Sequence, residues 1–242
     1  MSDIHARLRD KLFEDLTLMS QMDIIEAIDH SLAEGLLEQY EEGLQMDKRA
    51  EVFGVTYIVA ELLLSYFEHE GVAVTHHETV PAGRDLSDMV NTEALSDDEA
   101  ALVESYTERR SEEPRTYAEL FDLYVPLADG LLTDLDYRTS ERTDHESAAD
   151  EEVRALLERG GQSFGTTLHT TGRELDIESV LSVLNRVLED TTTDDRRFSR
   201  VEFRSDWSHV FCCSPYQLET LKNYFSFATG EIRDDLESDR DN

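Results

Sequence analysis

Residues 209–215 read His-Val-Phe-Cys-Cys-Ser-Pro. A histidine beside two adjacent cysteines can hold a metal, carry thiol redox chemistry or supply a nucleophile. Each use has a requirement. A zinc site takes about four ligands in recognisable spacing, and this chain has no C-x-x-C and no second Cys/His pair close in sequence. Neighbouring cysteines rarely bridge, because their side chains diverge. A thiol nucleophile needs a base, and the only candidates are His209 and distant histidines such as His169. On a strand, alternation puts Val210 and Cys212 on one face and Phe211 and Cys213 on the other. The reading these residues support best is the end of a buried strand, with both thiols reduced.

Other sets are weaker. His69, His76 and His77 stand among Glu68, Glu70 and Glu78, but the H-E-x-x-H spacing is missing, and a solvated helix end followed by a strand accounts for them. The stretch "GGQSFG" is not a G-x-G-x-x-G and does not follow an expected strand, so a phosphate loop is not expected. His169, among threonines, reads as a surface residue. Trp207 with His209 either edges a pocket or is an ordinary hairpin aromatic. No catalytic residue, metal ligand or cofactor is assigned. Trp207, His209, Cys213 and Phe225 are the candidate residues for a bound ligand.

The elements that must position these residues follow from periodicity. Ile4, Leu8, Leu12, Leu16 and Met19 recur at helical spacing over 4–20. Ile25, Ile28, Leu32 and Leu36 do so over 23–45, with Asp23 and Glu26 as a box-like cap. The segment 47–70 is apolar on nearly every face and should be central, with Gly71 closing it. "VAVTHHETV" reads as a short strand. Ser96 and Glu99 suggest a capped helix through Arg110. Residues 115–135 read as helical, with Pro126 forcing a kink or two short helices.

Residues 137–150 read as a linker, and a helix is expected from about 149 to 159. A Gly/Thr-rich passage follows. Asp176 can cap a helix carrying Ile177, Val180, Leu181, Leu184, Val187 and Leu188 on one stripe. "FSRVEF" and "SHVFCCS" suit a hairpin around Asp206. Pro215 fits the first turn of a last helix, whose buried face holds Leu218, Leu221, Phe225, Ala228 and Ile232. The expected fold is α+β, predominantly α-helical with a small antiparallel sheet. The expected domains are a helical 1–136, the linker 137–150, an α+β domain 151–234 and an acidic tail 235–242.

Charge bounds the setting. The chain has 242 residues, 55 of them acidic and 22 basic, for a formal charge of −33. Lys11, Lys48 and Lys222 are its only lysines; the other 19 basic residues are arginines. This composition resembles proteins of salt-in halophiles, haloarchaea above all. At molar salt the Debye length falls to roughly 3 Å and self-repulsion is screened, whereas in dilute buffer the same charge destabilises the compact state. No Lys/Arg cluster supports nucleic-acid binding. The opening "MSDIHARLRDKLFEDL" lacks the apolar core of roughly 7–15 residues that a signal peptide needs. No apolar run reaches the length of about 18 residues that marks a membrane span. A cytoplasmic protein is expected.

The segment 151–234 resembles the vinyl-reductase-type domains, a family that binds small hydrocarbon-like molecules and is related to TRAPP trafficking subunits. The shared order is a helix, the glycine-containing turn "GGQSFGTTLHTTGREL", the amphipathic helix "IESVLSVLNRVLED", the strand pair "FSRVEF" and "HVFCCS", and a helix ending in "LKNYFSFATGEI". Cys213 matches a cysteine that often enters that last helix. The resemblance implies ligand binding or protein docking rather than catalysis. The expected function is a non-enzymatic regulatory or sensory module that binds a small apolar ligand or a protein partner, or associates with itself. One alternative is a transcription regulator with a winged-helix-like unit in residues 4–70. Another is an enzyme with a site near Cys213, His209 and His169.

Overall fold

The computed structural model describes residues 3–43, 53–77, 114–140, 151–170, 175–204 and 207–238. The expected Ser96/Glu99 helix lies outside them. The chain divides into two compact units: residues 1–75, 195–204 and 209–242 form one, and residues 76–194 with 205–208 the other.

The first unit begins with three helices, α1 (Asp3–Gln21), α2 (His30–Gly43) and α3 (Val55–His69). Leu8, Leu12, Leu16 and Met19 are fully buried along one side of α1, as their spacing requires. Asp23 does not cap α2. Its φ of 54° is left-handed, whereas an N-cap needs a more extended backbone. Asp23 instead turns the chain out of α1, and Asp29 caps α2, accepting from the N–H of Ser31 at 2.8 Å and of Leu32 at 3.0 Å. Helix α3 is buried from Tyr57 to Phe67 on nearly all faces. It closes through Gly71, whose φ is +67°, with Val72 N–H donating to the Phe67 carbonyl at 2.8 Å.

Strand β1 (Ala73–His77) follows α3, and β5 (Arg197–Arg204), β6 (Trp207–Cys213) and α6 (Pro215–Ser238) end the chain. The sheet order is β1-β6-β5, so β6 is central. Residues 205 and 206 alone separate β5 from β6, which are neighbours in the sheet, as the hairpin reading around Asp206 expects. Ser214 caps α6: its hydroxyl accepts from Gln217 N–H while the Gln217 side chain accepts from Ser214 N–H at 2.8 Å. Pro215 takes the first helical position, where no N–H is needed. An aromatic run links the layers, Tyr57 to Phe203 at 5.3 Å and Phe203 to Phe225 at 5.6 Å between ring centroids.

The second unit holds α4 (Tyr117–Tyr124), a 3-10 turn (Val125–Ala128), β2 (Asp136–Thr139), β3 (Glu151–Arg159), β4 (Gln162–Thr170) and α5 (Ile177–Thr191). Thr116 and Glu119 form a full capping box at the start of α4. Pro126 sits in the 3-10 turn, so residues 115–135 hold two short helical pieces. Asp176 caps α5 as expected, accepting from Ser179 N–H at 3.0 Å. The buried stripe of α5 runs through Val180, Leu184 and Val187.

The predominantly helical expectation is corrected here. The described residues form six helices beside two three-stranded sheets, the second in the order β2-β3-β4. The expected helix 149–159 is strand β3, and β2 takes residues from the start of the expected linker. Glu, Arg, Ala and Leu in "EEVRALLER" favour a helix by propensity, but pairing overrides it. Val153, Ala155 and Leu157 are buried while Arg154 and Leu156 are exposed, a period of two. Arg159 pairs with Gln162 across Gly160 and Gly161, whose φ values of +58° and +79° suit a two-residue hairpin turn.

Candidate functional site

The candidate residues converge on β6 and the helix after it. His209, Phe211 and Cys213 alternate along β6 and share a face. Phe211 and Cys213 join the core of the first unit together with Phe225 of α6. Phe211 meets Phe67 edge-on at 5.7 Å. Phe225 is 0% exposed and touches Phe203 and Tyr224. His209 is 1% exposed and shares a 2.8 Å hydrogen bond through Nδ1 with the Thr75 hydroxyl. Trp207 begins the strand, and its side chain lies outside the described residues. Ser208 and Val210, on the opposite face, are also fully buried, as befits a central strand.

The chemistry of Cys213 follows from this burial. At 7% exposure its thiol is pushed up to about 11, chiefly by burial, with the Lys222 charge pulling slightly the other way. A thiolate is the nucleophile and the metal ligand, so this sulfur is poorly suited to either role near neutral pH. Cys212 is half-buried on the other face. His169, the more distant base considered above, is exposed on β4 in the second unit. Its carbonyl accepts from the Tyr117 hydroxyl at 2.7 Å.

The histidines after α3 separate. His69 stays at the helix end, with Nδ1 2.8 Å from the Ser65 carbonyl. His76 is buried, and its Nε2 lies 2.5 Å from the Tyr124 hydroxyl. Among the described residues no three His, Cys, Asp or Glu side chains group to hold a metal.

Two features escaped the sequence reading. The first is a buried carboxylate. Asp15 of α1 is 2% exposed, 2.7 Å from Lys11 Nζ, and it accepts from the Tyr224 hydroxyl at 2.7 Å. Burial and then the Asp15 charge drive the Tyr224 hydroxyl far above its ordinary range. Burial lowers the Lys11 ammonium, but its hydrogen bond and charge attraction to Asp15 outweigh that and raise it. The trio fastens α1 to α6. Lys11 and Asp15 stand at the helical i, i+4 spacing, but no spacing rule reaches Tyr224.

The second is the outer face of β3 and β4. Arg154, Leu156, Gly165 and Thr167 are exposed there. With Ala155 and Thr166 they line a shallow groove of about 520 Å³. Leu156 is 40% exposed, unusual for a leucine within a strand. The signal in the sequence was the glycine pair followed by "QSFGTTLHT", nine residues without a charge.

No helix among the described residues is long and apolar enough to cross a membrane. No protein family, curated protein or solved structure matches the chain.

Proposed function

We propose that the chain is a non-enzymatic regulatory or sensory module of a salt-in cytoplasm, and that it acts by docking a protein partner. The observation that carries this reading is where the two kinds of residue lie. Cys213 and Phe225, put forward for an apolar ligand, are both buried in the hydrophobic core of the first unit. Leu156, one of several exposed apolar side chains among the described residues, lies with the groove on the outer sheet face of the second unit. The acidic composition supports the salt-in setting, since a charge of −33 favours solubility where salt is molar.

Native mass spectrometry of the protein taken from molar potassium chloride tests the reading. A retained protein mass is the expected result. A retained small organic mass would move the reading to ligand binding, and turnover of any common substrate would overturn it.

A further inference from the structure

We infer that β4 is the seam of a homodimer, pairing antiparallel with β4 of a second copy about a two-fold axis at Thr166. This deepens the docking reading by naming the partner.

The backbone of β4 offers the pairing. Ser140 N–H donates to the Arg154 carbonyl at 2.9 Å, so the backbone of Arg154 faces β2. Backbone groups of successive strand residues point to opposite sides. Val153, Ala155 and Leu157 therefore face β4, and their partners Leu168, Thr166 and Phe164 face back. Ser163, Gly165, Thr167 and His169 turn their N–H and C=O groups outward. The Tyr117 hydroxyl takes one of them, the His169 carbonyl. Among the described residues no partner takes those of Ser163, Gly165 and Thr167, and β4 has no second neighbouring strand.

Natural edge strands are blunted with charge, proline or a bulge. β4 has none of these: in a chain that is 32% charged, "QSFGTTLHT" has no charged residue and no proline, and its register with β3 is unbroken. β2 and β3 both carry acids and arginines. Glycine inside a strand weakens it, and often marks the close approach of another backbone. Gly165 has no internal reason to be glycine. Its φ is not positive, and a Cβ there would meet nothing within 4 Å.

The occupant follows from self-complementarity. An axis at Thr166 sets Gly165 opposite Thr167 and Thr166 opposite itself, short of His169, whose carbonyl Tyr117 already takes. Phe164 and Leu168 are already buried within the unit, so the surface the two copies share is the uncharged outer one of Gly165 and Thr167. A Thr–Thr cross-strand pair is favourable. Two copies of a −33 chain repel less along a strand that itself brings no charge, and at molar salt the remaining repulsion is screened.

Sedimentation equilibrium of the full chain in molar potassium chloride tests this. A concentration-dependent dimer is expected. Gly165→Glu has room for its side chain and sets a carboxylate at the seam in both copies, so the dimer should weaken by about tenfold or more. Thr167→Pro removes an outward N–H that the fold does not use, and should act in the same direction. Gly35→Glu, on α2 and equally unobstructed, adds the same charge elsewhere and should leave the dimer intact. Circular dichroism confirms that each variant is folded. In a Cys212→Ser background, Thr166→Cys should cross-link on oxidation.

A monomer at every concentration, or a dimer indifferent to both seam substitutions, would overturn the homodimer. A seam-sensitive dimer that does not cross-link would overturn the axis at Thr166. A monomer that instead carries a different protein on β4 would end this inference and leave the docking reading standing.

Discussion

β6 and β4 are both free of acidic and basic residues in a chain that is 32% charged, yet they are uncharged for different reasons. β6 is the middle strand of its sheet, and His209, Val210 and Phe211 are buried whichever face they take. Any unpaired charge there would be stranded in the interior. β4 is an edge strand whose outer residues, Ser163, Gly165, Thr167 and His169, are all exposed. Burial does not account for their neutrality. The same composition is thus a requirement of the core in one strand and a property of a surface in the other.

Four experiments break or sharpen that contrast. The largest effect is expected from a carboxylate in the central strand. Val210→Glu buries an unpaired charge and should cost more than about 4 kcal/mol, leaving no cooperative unfolding transition by circular dichroism in molar salt. Phe225→Ala opens a cavity beside Phe203 and should cost about 3–5 kcal/mol in denaturant titrations.

The Cys213 thiol comes next. Unfolded thiols titrate near 9.0 and this one at about 11. Between those values the unfolded chain releases a proton that the native chain keeps, so stability falls as pH rises through the window. The Cys213 share is about 2–3 kcal/mol, read as the wild-type slope minus that of Cys213→Ala. Native Cys213 should also resist alkylation in a Cys212→Ser background. The smallest effect belongs to the edge. Thr167→Glu, the same kind of change as Val210→Glu, should move the unfolding midpoint of the dilute protein by no more than about 0.5 kcal/mol.

Much of the first unit was legible. The helical repeat of α1 gives one buried stripe, that of α6 another, and α3 is apolar on nearly every face, so each has little freedom. The hairpin of β5 and β6 and the cap at Asp176 had local signatures. What was missed shares one cause. "EEVRALLER" is made of helix formers, and only its pairing across Gly160–Gly161 makes it a strand. Its alternation was masked by Leu156, an apolar residue on the wet face. The candidate quartet was chosen for chemistry, whereas Cys213 and Phe225 are placed by packing. The Lys11–Asp15–Tyr224 trio joins residues more than two hundred positions apart, and no one-dimensional rule reaches that far.

The discontinuity of the first unit bears on how the protein is made. Its helices α1 to α3 emerge from the ribosome first, but Phe203, Phe211 and Phe225, which complete their core, emerge last. Residues 76–194 are synthesised in between and contain all of α4, β2 to β4 and α5. The second unit can therefore condense while the first still waits for its cover, and contacts between distant segments are the slow ones to form. Until then α1 and α2 alone can cover the most apolar helix, Val55–His69. The last segments to be synthesised are thus the ones that complete the core of the first helices.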